Sequence, residues 1–214
     1  MKFQKYQHNE QQQVFFSSDW HVFHDPKWDN PIWKMRGYES AEHSAREIQS
    51  KVNERVREQD LLFYLGDGFL NSSPDQVREW LRGIKCQNIF YIWGNHESSM
   101  FKIYKDSVGE LEYYPHKWEN VTFLGWYNQI IVNKQVFVLS HFPFRIFDRM
   151  QHGTINLSGH SHYGDKGRRA EAEFDKALDI GWDGKLDVYS FDEIMSIMNK
   201  KKMRTFDHHD SECS

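Results

Sequence analysis

Seven side chains of types that bind metal ions in many proteins follow short apolar runs in this sequence. They comprise two carboxylates, one amide and four imidazoles: Asp19, His21, Asp67, Asn95, His141, His160 and His162. Oxygen and nitrogen donors in this mixture suit Mn, Fe or Zn better than Ca. Seven ligands are too many for one tetrahedral ion but reasonable for two, and pairs of metal ions are a standard device for phosphoryl hydrolysis.

The apolar runs predict that these donors meet in space. Five runs, each predicted to be a strand, precede them: 14–16, 61–65, 89–93, 135–139 and 154–157. In α/β sheets, ligands collect in the crevice beyond the carboxyl ends of the strands. Small residues follow each run, and Gly66, Gly94 and Gly159 permit sharp turns and close approach of the backbone. The donors are therefore expected to converge at one edge of the sheets.

Five blocks around these donors, taken in order, resemble the signature of the calcineurin-like metallophosphoesterases. The blocks are Asp19-x-His21, Gly66-Asp67, Gly94-Asn95-His96-Glu97, His141 and Gly159-His160-x-His162. The resemblance covers residues 14–162. It extends toward the small bacterial and phage members of the family through four segments: Ser18-Asp19-x-His21-x-x-His24, 139–143, 179–183 and 190–194. One block alone is a weak signal, whereas five in order are a strong one.

The resemblance implies a role for each donor. The first metal ion would be held by Asp19, His21 and His162, the second by Asn95, His141 and His160, with Asp67 bridging both. His96 would face the leaving group without binding metal, and Glu97 would orient His96. The implied cofactors are two divalent transition-metal ions. Manganese is the preferred candidate. Iron, zinc and nickel are alternatives, because the ligand types do not distinguish among these metals.

The fold implied by the resemblance is α/β, with two packed mixed β-sheets flanked by helices in a four-layer sandwich. β-Branched and aromatic runs predict two further strands, over 121–124 and 129–132. The spacing of apolar residues predicts a helix over 41–58. Capping patterns predict helices that begin at Ser73 and at Ser190.

The length of the chain favours one domain over residues 1–214. Its core is expected over about 14–199, after a polar lead-in at 4–13 and before a frayed, polar tail. Only two cysteines occur, so a disulfide framework is not expected. The start of the chain has no apolar signal segment, and no run approaches the ~18 residues of a membrane helix. These features favour the cytoplasm.

The charge balance narrows the class of partner. With 27 basic and 31 acidic residues the net charge is −4. Proteins that bind extended nucleic acid need clustered Lys and Arg for phosphate contacts, so such binding is not expected. A small phosphorylated substrate remains compatible with this charge, and no membrane association is expected. The sequence does not indicate any protein partner.

One departure from the protein-phosphatase branch of the family bears on the substrate. In that branch Gly-Asp is followed by Asp-Arg-Gly, which supplies a phosphate-binding arginine. Here Gly66-Asp67 continues as Gly68-Phe69-Leu70-Asn71. Arg36 and Arg145, near the first and fourth blocks, are the alternative candidates for phosphate binding, and His24 is a candidate for lining the cleft. With fewer fixed cations, the site is expected to hydrolyse small aryl or cyclic-nucleotide phosphodiesters at least as well as monoesters.

The leading hypothesis is therefore a metal-dependent phosphoric ester hydrolase. The ester would be attacked in line by a metal-bound hydroxide, and His96 would protonate the departing oxygen. The alternatives are a phosphomonoesterase or protein phosphatase, a nuclease, and a non-catalytic scaffold of the same fold. Scaffolds of this kind lose metal ligands, and none of the seven ligand positions is lost in this chain. Completeness of the ligand set therefore favours an enzyme.

Overall fold

The apolar runs of the sequence form two mixed β-sheets with helices around them. The structure, a computed structural model, describes residues 3–25, 30–109 and 113–203. The strands are β1 Gln4–Tyr6, β2 Val14–Ser17, β3 Leu61–Tyr64, β4 Ile89–Ile92, β5 His116–Trp118, β6 Val121–Gly125, β7 Tyr127–Val132, β8 Gln135–Ser140, β9 Ile155–Ser158, β10 Ala177–Asp179 and β11 Tyr189–Ser190. All seven strands predicted from the sequence are present. The expected α/β architecture of two packed mixed sheets flanked by helices is confirmed.

Three of the five described α-helices begin after a serine whose side chain accepts a hydrogen bond from the first turn. They are α1 Ile32–Met35, α2 Ala41–Arg55, α3 Pro74–Arg82, α4 Ser98–Val108 and α5 Phe191–Lys200. The hydroxyl oxygens of Ser73 and Ser190 each accept a hydrogen bond from the backbone N–H three residues on, in Gln76 and Glu193. The side chains of Gln76 and Glu193 in turn accept a hydrogen bond from the backbone N–H of the serine. These are the two capping boxes that the sequence predicts. None of the described helices is long and apolar enough to cross a bilayer.

The order of the strands brings the polar ends together. The six-stranded sheet has the order β11-β2-β3-β4-β6-β5, and the five-stranded sheet has the order β1-β7-β8-β9-β10. β2, β3 and β4 are parallel neighbours, and so are β8 and β9. Parallel strands end at the same edge of a sheet, so the residues that follow these five strands lie at one end of the molecule.

The central strands β2, β3 and β4 are almost entirely apolar because both faces of the six-stranded sheet are covered. Along β3, Leu61 and Phe63 pack against the five-stranded sheet, whereas Leu62 and Tyr64 pack on the side of the helices. Side chains alternate between the two faces of a strand, so a strand buried on both faces shows no polar alternation. The packing of α2, α3 and α4 on this sheet supplies the second cover.

The polar N-terminal lead-in contains a strand that the sequence does not predict. Residues 4–6 are predicted to lie outside the core, but they form β1 and pair in parallel with β7. The ring of Tyr6 lies 5.1 Å from that of Phe63 and 5.4 Å from that of Phe90, both edge-on. One half-buried aromatic ring therefore packs a polar segment against the six-stranded sheet. The predicted frayed tail falls largely on residues 204–214, which lie outside the described residues.

We expect Ser190→Ala to lower the free energy of unfolding by about 1 kcal/mol, because the N–H of Glu193 loses its acceptor. Urea denaturation of the metal-free protein measures the change. Ser196→Ala is the matched control, since Ser196 is exposed within the same helix. That control should leave stability unchanged or raise it slightly, because Ala favours helix. Equal losses in the two variants would contradict the role of the cap.

Candidate metal centre

The loops that follow the five strands carry an unusual backbone conformation. Five of the seven candidate ligands have positive φ angles: Asp19 (57°), His21 (47°), Asp67 (56°), His160 (67°) and His162 (48°). This left-handed region is unfavourable for residues with a Cβ, by roughly 1–2 kcal/mol each. Such residues persist only where the surrounding structure holds them, and they concentrate at functional sites.

The loops after β2, β3, β4, β8 and β9 are numbered first to fifth. Hydrogen bonds between the first and second loops hold two of these residues in place. The backbone N–H of Asp19 donates to the carbonyl oxygen of Gly66 at 3.0 Å. The backbone N–H of His21 donates to the carbonyl oxygen of Asp67 at 3.1 Å. Gly66 itself has φ +88°, and a Cβ there would lie 2.5 Å from the nitrogen of Gly94. The second and third loops are therefore in direct backbone contact, and any side chain at Gly66 would separate them.

The fifth loop closes onto the first. The N–H of His160 donates to Oδ2 of Asp19 at 3.0 Å. A Cβ at Gly159 would lie 2.2 Å from that same oxygen and 2.1 Å from Oγ of Ser18. Glycine at position 159 thus allows the loop after β9 to approach the loop after β2, and the approach brings the donors of the two sheets together.

Asp19, His21 and His162 form the first donor group, with one ligand atom from each lying within 4.8 Å of the others. His21 is only 5% exposed, and neither of its ring nitrogens has a hydrogen-bond partner. Burial, with the charge of His162 second, lowers the pKa of His21 to about 2, so the ring is neutral and keeps a lone pair. A buried nitrogen without a partner is unfavourable. A metal cation would supply the missing partner.

Asp67, His141 and His160 form the second donor group. Nδ1 of His141 lies 2.8 Å from the carbonyl oxygen of Leu65, which can only accept, so Nδ1 carries a proton and Nε2 is the ring atom that faces the donor group. Oδ1 of Asn95 lies 3.0 Å from both Nε2 of His141 and Nδ1 of His160. An amide oxygen and two imidazole nitrogens therefore converge beside the carboxylate.

Asp67 lies between the two groups. Its Oδ2 is 3.4 Å from Nε2 of His141 and 3.8 Å from Nε2 of His21. Burial opposes ionisation of Asp67, but the hydrogen bond and charge of His141 outweigh it and lower the pKa to about 2. Asp19 differs, because burial raises its pKa to about 6. Two carboxylates surrounded by imidazoles fit a pair of divalent cations, and Asp67 is placed to contact both.

Glu97 is buried between the loop after β3 and the loop after β4. Its Oε1 accepts from the backbone N–H groups of Asp67 (2.6 Å) and Gly94 (3.0 Å), and its Oε2 accepts from the hydroxyl of Tyr91 (2.8 Å). Burial raises the pKa of Glu97 to about 7. The described contacts of this carboxylate do not include the ring of His96. Glu97 therefore joins the second loop to the third, and an orienting effect on His96 stays a prediction.

His96 lies beside the two donor groups and belongs to neither. Its backbone N–H donates to Oδ1 of Asp67 at 2.8 Å. Its ring is exposed, and its centroid lies 5.8 Å from that of His21. The side chain is therefore accessible to a substrate at the edge of the centre, as a proton donor must be.

Arg36 is engaged in internal contacts, so the expectation that it binds phosphate does not fit the structure. Its guanidinium makes a two-point ion pair with Asp183 (2.7 and 3.0 Å) and donates to the carbonyl oxygens of Asp19 and Trp20. The side chain is 2% exposed. Oδ2 of Asp183 in turn lies 2.7 Å from Nδ1 of His162. Arg36 thus fastens together the segments that carry the first donor group.

The other two candidate substrate contacts have different surroundings. His24 is partly exposed, and its ring centroid lies 6.1 Å from that of His21, at the edge of the first donor group. Arg145 is exposed and lines a cavity of about 290 Å³ whose described wall includes none of the candidate ligands. A phosphate contact from either residue stays a prediction.

The segment 179–183 is part of the resemblance, but the sequence indicates no role for its two acidic residues. Asp183 contacts His162 and Arg36, as described above. Asp179 accepts from the N–H of Tyr163 at 2.8 Å and from the hydroxyl of Ser161, on either side of His162. Two acidic residues flanking Ile180-Gly181-Trp182 directly after an apolar run were the available signal. Their partners lie 16 to 21 residues away, and 147 residues away for Arg36, so they cannot be paired from sequence alone.

Two adjoining groups of carboxylate and imidazole at the strand ends of a two-sheet α/β fold are typical of proteins that bind a pair of divalent cations. The model of one family, calcineurin-like phosphoesterase, matches residues 13–182. The chain belongs to the calcineurin-like phosphoesterase family, so its domain is a metallophosphoesterase domain.

One solved structure shares the fold. It is the crystal structure of a protein of unknown function from Aquifex aeolicus, with a TM-score of 0.59 and 16% sequence identity. The match covers 86% of this chain and 98% of the other. No curated protein matched the chain.

We expect Arg36→Lys to weaken binding of one metal ion by roughly 10–100-fold and to leave the second ion bound. Lysine keeps the charge but cannot hold Asp183 at two points while contacting two carbonyl oxygens. Calorimetric titration of the metal-free protein with Mn²⁺ measures both affinities. Arg46→Lys, at an exposed position in α2, is the control and should bind two ions normally. Equal weakening of both sites in Arg36→Lys would exclude a specific role at the first donor group.

Proposed function

We propose that this protein hydrolyses small phosphodiesters of the aryl or cyclic-nucleotide type. The reaction would use two divalent transition-metal ions, with manganese as the preferred metal. The observation that carries the proposal is the pair of donor groups joined through Asp67, whose Oδ2 lies within 4 Å of a ring nitrogen in each group. Family membership supports phosphoester hydrolysis as the reaction class. The preference for diesters rests on the small number of accessible arginines beside the centre.

The residues present would hold the two ions as separate but adjoining groups. The first ion would be held by Asp19, His21 and His162, the second by Asn95, His141 and His160, and Asp67 would contact both. When bound, the cations would supply Lewis-acid activation of the phosphoryl group and of the attacking water. The protein fixes the donors in advance through the loop contacts and through the proton held on Nδ1 of His141.

His96 would supply the proton to the departing oxygen. Its ring is exposed and adjoins His21, while its backbone N–H is fixed by Asp67. An alkoxide leaving group needs a proton at the moment the P–O bond breaks, and an imidazole beside the site is a suitable donor. His96 is therefore assigned to protonation and not to metal binding.

The surroundings of the centre favour a substrate with one negative charge. A phosphomonoester carries close to two charges at neutral pH, whereas a diester carries one. The loop after β3 lacks the arginine of the protein phosphatases, and Arg36 is committed to Asp183 and two carbonyl oxygens. The net charge of −4 adds no attraction for a polyanion. A small diester therefore suits the site better than a monoester or a polymer.

The cytoplasm is the compartment that we propose for this activity. Cys86 is a free, fully buried thiol, and burial raises its pKa to about 11, which makes it unreactive. A protein that uses no disulfide among its described residues is compatible with a reducing compartment. Fractionation of the native host with an antibody against the protein would test the location.

Hydrolysis by the Mn²⁺-reconstituted enzyme tests the proposed substrate class. We expect kcat/KM for bis(4-nitrophenyl) phosphate to equal or exceed that for 4-nitrophenyl phosphate. Cyclic nucleotides, phosphopeptides and single-stranded DNA complete the panel. Asp67→Asn, purified in parallel, should be inactive and so controls for contaminating phosphatases. A monoester preference of about a hundredfold would favour a phosphomonoesterase instead, and activity confined to DNA would favour a nuclease. No hydrolysis of any substrate would favour the scaffold.

His96→Ala should keep both metal ions but slow hydrolysis of alkyl esters by roughly 10²–10⁴-fold. The loss should shrink for nitrophenyl esters, because nitrophenolate departs without a proton. Paired assays of an alkyl and a nitrophenyl diester, together with elemental analysis for bound metal, measure the two effects. An equal loss for both leaving groups would show that His96 acts in another way.

A further inference from the structure

A recess adjoins the first donor group. It is a cavity of about 510 Å³ between α1 and the segment after β10, lined by Ile32, Met35, Arg36, His162, Asp183 and Leu186. That volume lies within the ~300–1,000 Å³ typical of pockets for small ligands. Since His162 belongs to the first donor group, the recess and the candidate metal centre share a wall.

The lining of the recess suits an uncharged group. Ile32, Met35 and Leu186 supply an apolar surface. The side chain of Arg36 is 2% exposed and that of Asp183 is 22% exposed, and the two are ion-paired. The recess therefore offers apolar area with a carboxylate edge and almost no accessible positive charge from Arg36. An apolar or aromatic substituent would be stabilised there by burial, whereas a second phosphate or a carboxylate would face Asp183.

The described lining of the recess includes His162 but does not include His96, the proposed proton donor. The ring of His21 stacks on that of His162 at 4.9 Å and lies edge-on to that of His96 at 5.8 Å. The recess opens beside His162, and the leaving group must reach His96. A substituent bound in the recess is thus distinct from the one that departs.

We infer that this recess binds the ester substituent that stays on phosphorus, and that the substituent is an uncharged aromatic or apolar group such as an aryl ring or a nucleobase. The inference rests on the proposed function. In the reaction, water adds to phosphorus, the P–O bond to the other substituent breaks, and that oxygen takes a proton. The group in the recess leaves as part of a phosphomonoester. A recess of this kind gives diesters a contact that simple monoesters lack.

A series of 4-nitrophenyl phosphodiesters tests the inference, because their leaving group is constant and only the retained substituent changes. With the Mn²⁺-loaded enzyme, kcat/KM should rise at least about tenfold from the methyl to the phenyl ester. Met35→Asp should reduce this phenyl-to-methyl ratio, and Met35 is 79% exposed, so its replacement spares the core. Leu186→Ala, which removes apolar wall, should reduce the ratio as well.

Ile146→Asp is the matched control, because Ile146 is an apolar residue 66% exposed and outside the recess. It should leave the phenyl-to-methyl ratio unchanged. A wild-type ratio near one would overturn the inference. The inference would also fail if Ile146→Asp lowered the ratio as much as Met35→Asp.

A binding measurement separates the inference from the proposed function. Calorimetry with the Mn²⁺-loaded protein should show that diphenyl phosphate binds at least about tenfold more tightly than dimethyl phosphate, and that Met35→Asp removes the difference. If this result were obtained but no ester were hydrolysed, the proposed function would fail and the recess would stand. Equal binding of the two phosphates would overturn the recess whatever the rates.

Discussion

The candidate metal centre depends on contacts between loops that hold an unfavourable backbone. Asp19, His21 and Asp67 occupy left-handed conformations, and hydrogen bonds from the first loop to Gly66 and Asp67 hold the first two of them. Glycine at position 66 allows that contact because a Cβ would collide with the third loop. The parallel sheets fix the strand ends and thereby maintain these short distances. The sheets thus hold the donors in a fixed arrangement.

The same loops concentrate groups that are unfavourable when buried alone. His21 has two unpartnered ring nitrogens, and Asp19 is buried with a raised pKa. Cations would satisfy both, since a metal ion accepts the lone pairs of neutral imidazoles and favours ionised carboxylates. Electrostatics and backbone strain therefore point to the same conclusion. That conclusion is a site that binds cations.

Arg36 shows how a charged side chain can serve the centre without touching a substrate. Its contacts with Asp183 and with the carbonyl oxygens of Asp19 and Trp20 join two distant segments of the chain. The ion pair also removes the positive charge from the surface beside the first donor group. The surface left exposed is mostly apolar, and this is the basis for assigning the adjoining recess to an uncharged substituent.

The sequence alone predicted seven of the eleven described strands, the capped helices and the set of candidate donors, because apolar periodicity, Ser-based caps and residues after strands are local patterns. It failed where a role depends on a distant partner. Glu97 binds the Asp67 amide, and Arg36 lies 147 residues from Asp183. Tyr6 draws a polar segment into the sheet through ring contacts that no local pattern records. Only the tertiary structure decided these roles, since buried polar and aromatic groups take whichever partners the packed chain brings within reach.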